Sequence, residues 1–416
     1  MQDFRIIEKH TISWKELIPK IEPNMCALQL RDDDNFIIGW GRKDEFLATD
    51  KFDFKNFLGF RESNKDNYSF GYLSYDIKND IEVFLKSNNE DELKLPLAYW
   101  FVPEHIILRT GNTVSYSGSW SKSELDDWLD KENNPEEEKA SSINLQPIIN
   151  KSEYVQHLTN IKEHIQRGDI YETNYCINFN STVQKFNPFQ NFKKLVELST
   201  APFSAYFNFE HGAILSASPE RFLKKENSVL TSQPIKGTAP RNKDKKIDFE
   251  HKKVLQHDPK ERSENIMIVD LVRNDLSKLA KKNSVSVDEL CEVYSFQTVH
   301  QLISTIKCEL KSNINIEDII KASFPMGSMT GAPKISAMQI AEQEEDFKRG
   351  IYSGAFGFFQ PNGNFDLNVV IRSIYYSKTN HIIGAAVGGA ITIKSDPEKE
   401  FQECLTKLEA IKKALC

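Results

Sequence analysis

Between Phe203 and Thr238 the sequence runs FSAYFNFEHGAILSAS and then SPERFLKKENSVLTSQPIKGT, strand-like stretches parted only by short turns. Each of the two stretches reads as a hairpin, two strands paired antiparallel across a tight turn. The first hairpin is expected to turn near His211 and Gly212. Upstream, CALQL, FIIGWG, YSFGYLSYDI and YWFVPEHIILRT repeat the pattern between charged turns. Helical stripes are mixed in. In SEYVQHLTNIKEHIQRGD, Val155, Leu158, Ile161 and Ile165 share one face, with Ser152 as N-cap and Gly168 as the stop. Strands and helices do not alternate as βαβ units, so the expected fold is α+β, with large antiparallel sheets packed against helices.

One stretch reads as a linker: DKENNPEEEKASSINLQP, Asp130 to Pro147, is polar, acidic and carries two prolines. It divides the chain into an N-terminal, mainly antiparallel β region, residues 1–145, and a second region, 146–416, that carries the chemistry. With 39% hydrophobic residues the 416-residue chain can bury a sizeable core. The formal net charge of −7, without a long basic tract, argues against a nucleic-acid surface. No apolar run approaches the ~20 residues of a membrane helix and no export signal is visible, so no membrane partner is expected. The six cysteines are scattered without a C-x-x-C pair, which points away from disulfides and zinc and suits the cytoplasm.

Lys236 stands between Pro234 and Gly237, where the chain has little freedom before it and a tight turn after it. If Glu226, Asn227 and Ser228 form a three-residue hairpin loop, Glu220 lies opposite Pro234 and shares a face with Lys236, about 7 Å along the strand. A two-residue loop puts them on opposite faces unless a bulge near Pro219 compensates. The alternative is an exposed pair of charges.

Two further segments repeat one device. Asp258 and Pro259 open a helix that sets Glu261 and Glu264 three apart, and Asp396 and Pro397 open another that sets Glu400 and Glu403 three apart, with Lys407 one turn on. Four carboxylates from two helix starts suit a hard cation, Mg²⁺ rather than zinc. They equally suit two helix dipoles, with Glu261 closing a capping box on Asp258.

FPMGSMTGAPK lacks the glycine spacing and the Gly-Lys-Ser/Thr end of a phosphate loop. GAAVGGAITIKSD packs Gly384, Gly388 and Gly389 into an apolar strand, which marks either a close approach to a ligand or a bend. His300 shares a strand face with Leu302 and Ile306 and reads on its own as a satisfied core histidine. Arg372, inside the β-rich NVVIRSIYY, demands an anionic partner.

Taken in order, SASPERFL, QPIKGTAPR, ERSENIMIVDLVRNDL, FPMGSMTGAPKISAM, YSGAFGFF, NVVIRS and SDPEKEFQECLTKL resemble the signatures of the chorismate-utilising enzymes. That family includes the large subunits of anthranilate synthase and aminodeoxychorismate synthase, and the isochorismate and salicylate synthases. The resemblance runs from about Ser152 to the C-terminus and implies the anthranilate synthase large-subunit fold. Within the family, anthranilate synthases read PIAGT where this chain reads PIKGT, so Lys236 aligns it with the enzymes that form 4-amino-4-deoxychorismate, a precursor of 4-aminobenzoate and folate.

The resemblance implies roles residue by residue. Lys236 attacks the chorismate ring and expels a hydroxyl, and ammonia then displaces the lysine. Glu220 is the acid/base group and His300 lies near the leaving hydroxyl. Glu261, Glu264, Glu400 and Glu403 hold Mg²⁺. Ser328, Tyr352, Arg372, Lys407 and the backbone of Gly388, Gly389 and Ala390 bind the substrate. An ordinary lysine, with a pKa of ~10.4, is neutral in about one copy in 10³ at pH 7, so this chemistry also needs a depressed pKa or a base. With no Gly-x-Cys-x-Gly elbow in the chain, ammonia is expected from a separate glutamine amidotransferase subunit. Glu172 stands where relatives carry glutamine, and where the enzymes that use water carry lysine. Anthranilate synthase is the main alternative; an isochorismate or salicylate synthase, or a non-catalytic chorismate-binding relative, is remoter.

Overall fold

The computed structural model describes residues 3–7, 12–21, 24–30, 35–131 and 142–416, so most of the expected linker lies outside the described residues. Among these residues every strand pairing is antiparallel, although Gly212–Ser218 and Arg221–Glu226, parted by two residues, join different sheets. One sheet runs from Arg5–Ile7 through Met25–Gln29, Phe203–Asn208 and Gly212–Ser218 to Ile382–Ile391, Glu172–Thr182 and Gly331–Ala332. The other runs from Ile235–Pro240 and Val299–Glu309 through Arg221–Glu226 and Ala355–Phe359 to Ser69–Leu73 and Asp44–Ala48. Both sheets mix strands from before and after residue 145. Met25–Gln29 pairs with Phe203–Asn208, and Ser69–Leu73 with Ala355–Phe359. The expected division thus follows chain order and not the sheets.

The sheets face each other across an aromatic core. Tyr72 of one meets Phe207 of the other at 6.0 Å between ring centroids, and Tyr99 stacks near Phe209 at 5.1 Å. A second core lies between the first sheet and its helices: Tyr154, Leu158 and Ile161 from Lys151–Arg167, and Cys404, Leu408 and Ile411 from Pro397–Ala414, are all buried. The helix begins earlier than Ser152. Asn150 accepts the backbone N–H groups of Ser152 and Glu153 while Glu153 reaches back to the Asn150 N–H, a reciprocal cap that Ser152 does not provide. Tyr154 is buried with Leu158 and Ile161, while Val155, expected on that stripe, is half-buried. Gly168 ends the helix as expected, at φ 85°.

Candidate active site

The hairpin between Glu220 and Lys236 takes the bulge route and not the three-residue loop, with the bulge at Phe222 and Leu223 instead of near Pro219. Glu226 pairs with Val229, so the loop is two residues, Asn227 and Ser228, with Asn227 at φ 55°. That loop alone would separate Glu220 and Lys236. A bulge between Arg221 and Lys224 shifts the register by one, so that Arg221 pairs with Gln233; continued by one residue, this register sets Glu220 opposite Pro234. Both side chains then face one cavity of about 490 Å³.

Gly237 explains the tight sequence around Lys236. The pairing of Ile235–Pro240 with Val299–Glu309 shifts between Lys236 and Thr238, and Gly237 takes up the shift at φ 83°. A Cβ there would also sit 3.1 Å from the Cβ and Oε2 of Glu261. The lysine is thus aimed from a kinked edge strand, 13% exposed, with Nζ 3.8 Å from Oε1 of Glu172, which is 2% exposed.

Glu220 is buried across the same cavity. The Ser328 hydroxyl donates to its Oε1 at 2.6 Å. Burial pushes its carboxyl up to about 7 against the pull of that hydrogen bond and of the Lys236 charge. It is therefore poised near neutrality, as a general acid/base group should be.

The two helix starts converge on the opposite wall. Asp258 caps Pro259–Leu279 by accepting from Lys260 and Glu261 backbone N–H groups, and Asp396 caps Pro397–Ala414 by accepting from Lys399. Glu261, Glu264, Glu400 and Glu403 all line the cavity. Burial first, and carboxylate neighbours second, raise Glu261; burial also raises Glu264 and Glu400, each with a further push from other carboxylates. Burial acts on Glu403 in the same direction, but Lys407, at 2.8 Å, brings it below the ordinary range. Oε1 of Glu264 is buried without a hydrogen bond among the described residues, with Lys260 Nζ 3.8 Å away. Among the described residues no three His, Cys, Asp or Glu side chains are yet drawn into a ligating group. The donor set is nonetheless all oxygen, mutually repelling, and contains an orphaned carboxylate oxygen, which fits a hard divalent cation.

The glycine strand belongs to the site. A Cβ on Gly388 would collide with the Tyr175 carbonyl at 2.5 Å, and one on Gly389 would stand 3.4 Å from Glu400 Oε2 and 3.6 Å from Lys407 Nζ. Bare backbone here keeps the cavity open, and Lys407 donates to the Gly388 carbonyl at 2.7 Å. Arg372 lies beside it in a left-handed conformation, φ 53°, that a non-glycine residue adopts only under constraint. Burial lowers its pKa, while Tyr352 and Glu403 oppose the shift. No hydrogen bond or ion pair holds its guanidinium among the described residues, so it is free to receive an anion.

Ser328, Tyr352, Gly388, Gly389, Ala390 and Lys407 line the cavity as well, and of the predicted site residues His300 alone does not. Its ring is buried on the other side of the strand, Nδ1 2.9 Å from Ser295 Oγ and Nε2 3.1 Å from Asp248 Oδ1. The alternation of a strand puts the next residue, Gln301, on the cavity side. Lys260 and Asn174 line the cavity too. Neither they nor Gln301 follows from residue type alone; Gln301 pairs with Thr238, which also lines the cavity, and that pairing is not readable from sequence. A larger cleft of about 1180 Å³ is lined by Asp76, Asp91, Asn180, Lys348 and neighbours, and holds none of the residues above.

With this geometry in place, comparison with known proteins is informative. The family model described as "chorismate binding enzyme" matches residues 23–413. Aminodeoxychorismate synthase component 1 of Escherichia coli is 37% identical over 289 residues, 69% of this chain and 63% of that protein. An anthranilate synthase component I-like protein of Synechocystis is 33% identical over 354 residues, 83% of this chain and 72% of the relative. The aminodeoxychorismate synthase of Streptomyces pristinaespiralis is 42% identical over 253 residues, 60% of this chain and 35% of that protein. The match thus spans less than two thirds of the aminodeoxychorismate synthases from Escherichia coli, rice and Arabidopsis. In fold, anthranilate synthase component I of Streptococcus pneumoniae superposes with a TM-score of 0.79 at 22% identity, covering 98% of this chain and 95% of that one. The menaquinone-specific isochorismate synthase of Escherichia coli gives 0.80 at 18% identity, with 100% and 95% covered. These matches confirm the anthranilate synthase-like α+β fold, and the chain belongs to the chorismate-binding enzyme family.

Proposed function

We propose that the chain converts chorismate and ammonia to 4-amino-4-deoxychorismate through a covalent adduct on Lys236. The observation that carries this reading is the lysine itself, aimed from a kinked edge strand into a carboxylate-lined cavity opposite a glutamate poised near neutrality. Lys236 supplies the nucleophile. Glu220, about half protonated at pH 7, protonates the departing hydroxyl so that it leaves as water. Arg372, with Tyr352 beside it, receives a substrate carboxylate, and the bare backbone at Gly388 and Gly389 lets the ring lie close to the strand. Glu261, Glu264, Glu400 and Glu403 would hold Mg²⁺, which when bound anchors the other carboxylate and offsets the negative charge of the site. Aminodeoxychorismate synthase components from Escherichia coli and Klebsiella aerogenes, at 37% identity, support the reading. Their designation as component 1 supports a partner subunit, here a glutaminase that supplies ammonia in the cytoplasm.

Mass-spectrometric product analysis with chorismate, Mg²⁺ and ammonium tests the reading. Wild type is expected to yield 4-amino-4-deoxychorismate, and Lys236→Ala none. Direct formation of fluorescent anthranilate would instead make the chain an anthranilate synthase.

A further inference from the structure

Glu172 occupies a place that the reaction above does not use. It lies at the start of Glu172–Thr182, paired with Ala332, outside the lining of the cavity and 2% exposed. Its Oε1 is 3.8 Å from Lys236 Nζ, and its Oε2 is buried with no hydrogen-bond partner among the described residues. A carboxylate this buried with half its acceptor capacity unmet is costly unless it has work to do. The groups that act on it are few: Lys236 faces it from Ile235–Pro240, and the charge of Glu264 reaches it from Pro259–Leu279. The Lys236 charge reaches Glu220 as well, and both line the cavity.

We infer that Glu172 is the positioning residue of Lys236, taking the ammonium proton when the amine attacks and returning it when the amine leaves. The inference rests on the reaction proposed above and deepens it. The steps balance. Lys236 passes one proton to Glu172 and, as a neutral amine, forms the C–N bond while the ring C–O bond breaks; the hydroxyl takes the Glu220 proton and leaves as water. Ammonia then forms its own C–N bond, the bond to Lys236 breaks, and Glu172 returns its proton to the freed amine. The new ammonium group gives its extra proton to Glu220. The two carboxyls divide the labour by position: Glu220 in the cavity serves the leaving group, and Glu172 behind the lysine serves the nucleophile.

The test is the pH profile of turnover with ammonium as the nitrogen source. In Glu172→Gln the amine has to lose its proton to water, so the rate at pH 7 is expected to fall about 10²-fold and to climb about tenfold per pH unit below the Glu220 transition. Glu172→Asp, which keeps a proton acceptor, is expected to lose rate but retain the wild-type profile. A Glu172→Gln variant with the wild-type rate, or with a rate lowered equally at every pH, would overturn the inference. Should that variant fail to fold, Glu172→Ala with added formate decides: saturable recovery supports the role, and no recovery contradicts it. If wild type makes 4-amino-4-deoxychorismate by way of Lys236 but the profiles do not differ, only this inference falls. If wild type makes another product, both fall.

Discussion

Replacing Glu220 by glutamine isolates what burial does to this carboxyl. Glutamine keeps the shape and can still accept the Ser328 hydrogen bond, so the main change is the loss of a titrating group. The folded pKa of about 7 lies above the ordinary 4.5, so the folded state binds the proton more tightly than the unfolded chain. The resulting stabilisation is fully present below pH 4.5 and is lost as pH rises through about 7. Summed between pH 5 and pH 8, this linkage amounts to roughly 2 to 3 kcal/mol. Wild type should therefore lose roughly 2 to 3 kcal/mol relative to Glu220→Gln over that range, whatever the offset between the two at pH 5. Urea unfolding of both proteins at pH 5 and pH 8, with EDTA present, measures this double difference, because groups common to both cancel. A difference that stays flat within about 0.5 kcal/mol would show that Glu220 titrates as an ordinary carboxyl and is not poised for acid catalysis.

Three further outcomes follow from the same geometry. Gly237→Ala puts a Cβ at φ 83° and 3.1 Å from Glu261, so stability should drop by about 1–2 kcal/mol and turnover should suffer as Lys236 is re-aimed; thermal melts and product assays check both. His300→Gln should cost about 1–3 kcal/mol of stability by unmaking a buried hydrogen-bonded site, while kcat changes less than about tenfold, since the ring lies behind the strand and outside the cavity. Mg²⁺ binding to the ligand-free chain, followed by calorimetry, should weaken as pH falls, because Glu261, Glu264 and Glu400 hold protons more tightly than ordinary carboxylates. An affinity independent of pH would argue against these ligands.

The antiparallel hairpins were legible because tight turns part short strand-like stretches, and the helix starts were legible because Asp-Pro pairs cap in a stereotyped way; that Gly212–Ser218 and Arg221–Glu226 belong to different sheets was not. The Glu220–Lys236 partnership was only half legible. Sequence patterning gives the turn residues, but a bulge at Phe222 and Leu223 depends on packing that no local rule reveals, and here it reverses the effect of the two-residue loop. Nor does sequence distance show that the N-terminal strands complete both sheets, since Met25–Gln29 and Phe203–Asn208 are far apart in the chain. His300 shows a conflict between two kinds of argument. Its strand face, shared with Leu302 and Ile306, marked it as a core histidine, whereas motif resemblance placed it beside the substrate; the structure sides with the face. Glu172 was visible as a departure from its relatives, but its contact with Lys236 crosses from one sheet to the other and could not be read from either strand alone.

The covalent adduct offers the most direct test of the account. The protein is mixed with chorismate and Mg²⁺ without ammonia, quenched, digested, and the peptide containing Lys236 is weighed. A mass increase equal to chorismate less one water, located on Lys236, lost in Lys236→Ala and discharged on adding ammonium before the quench, is the predicted result. An unmodified Lys236 peptide from protein that still turns over chorismate would contradict the central claim.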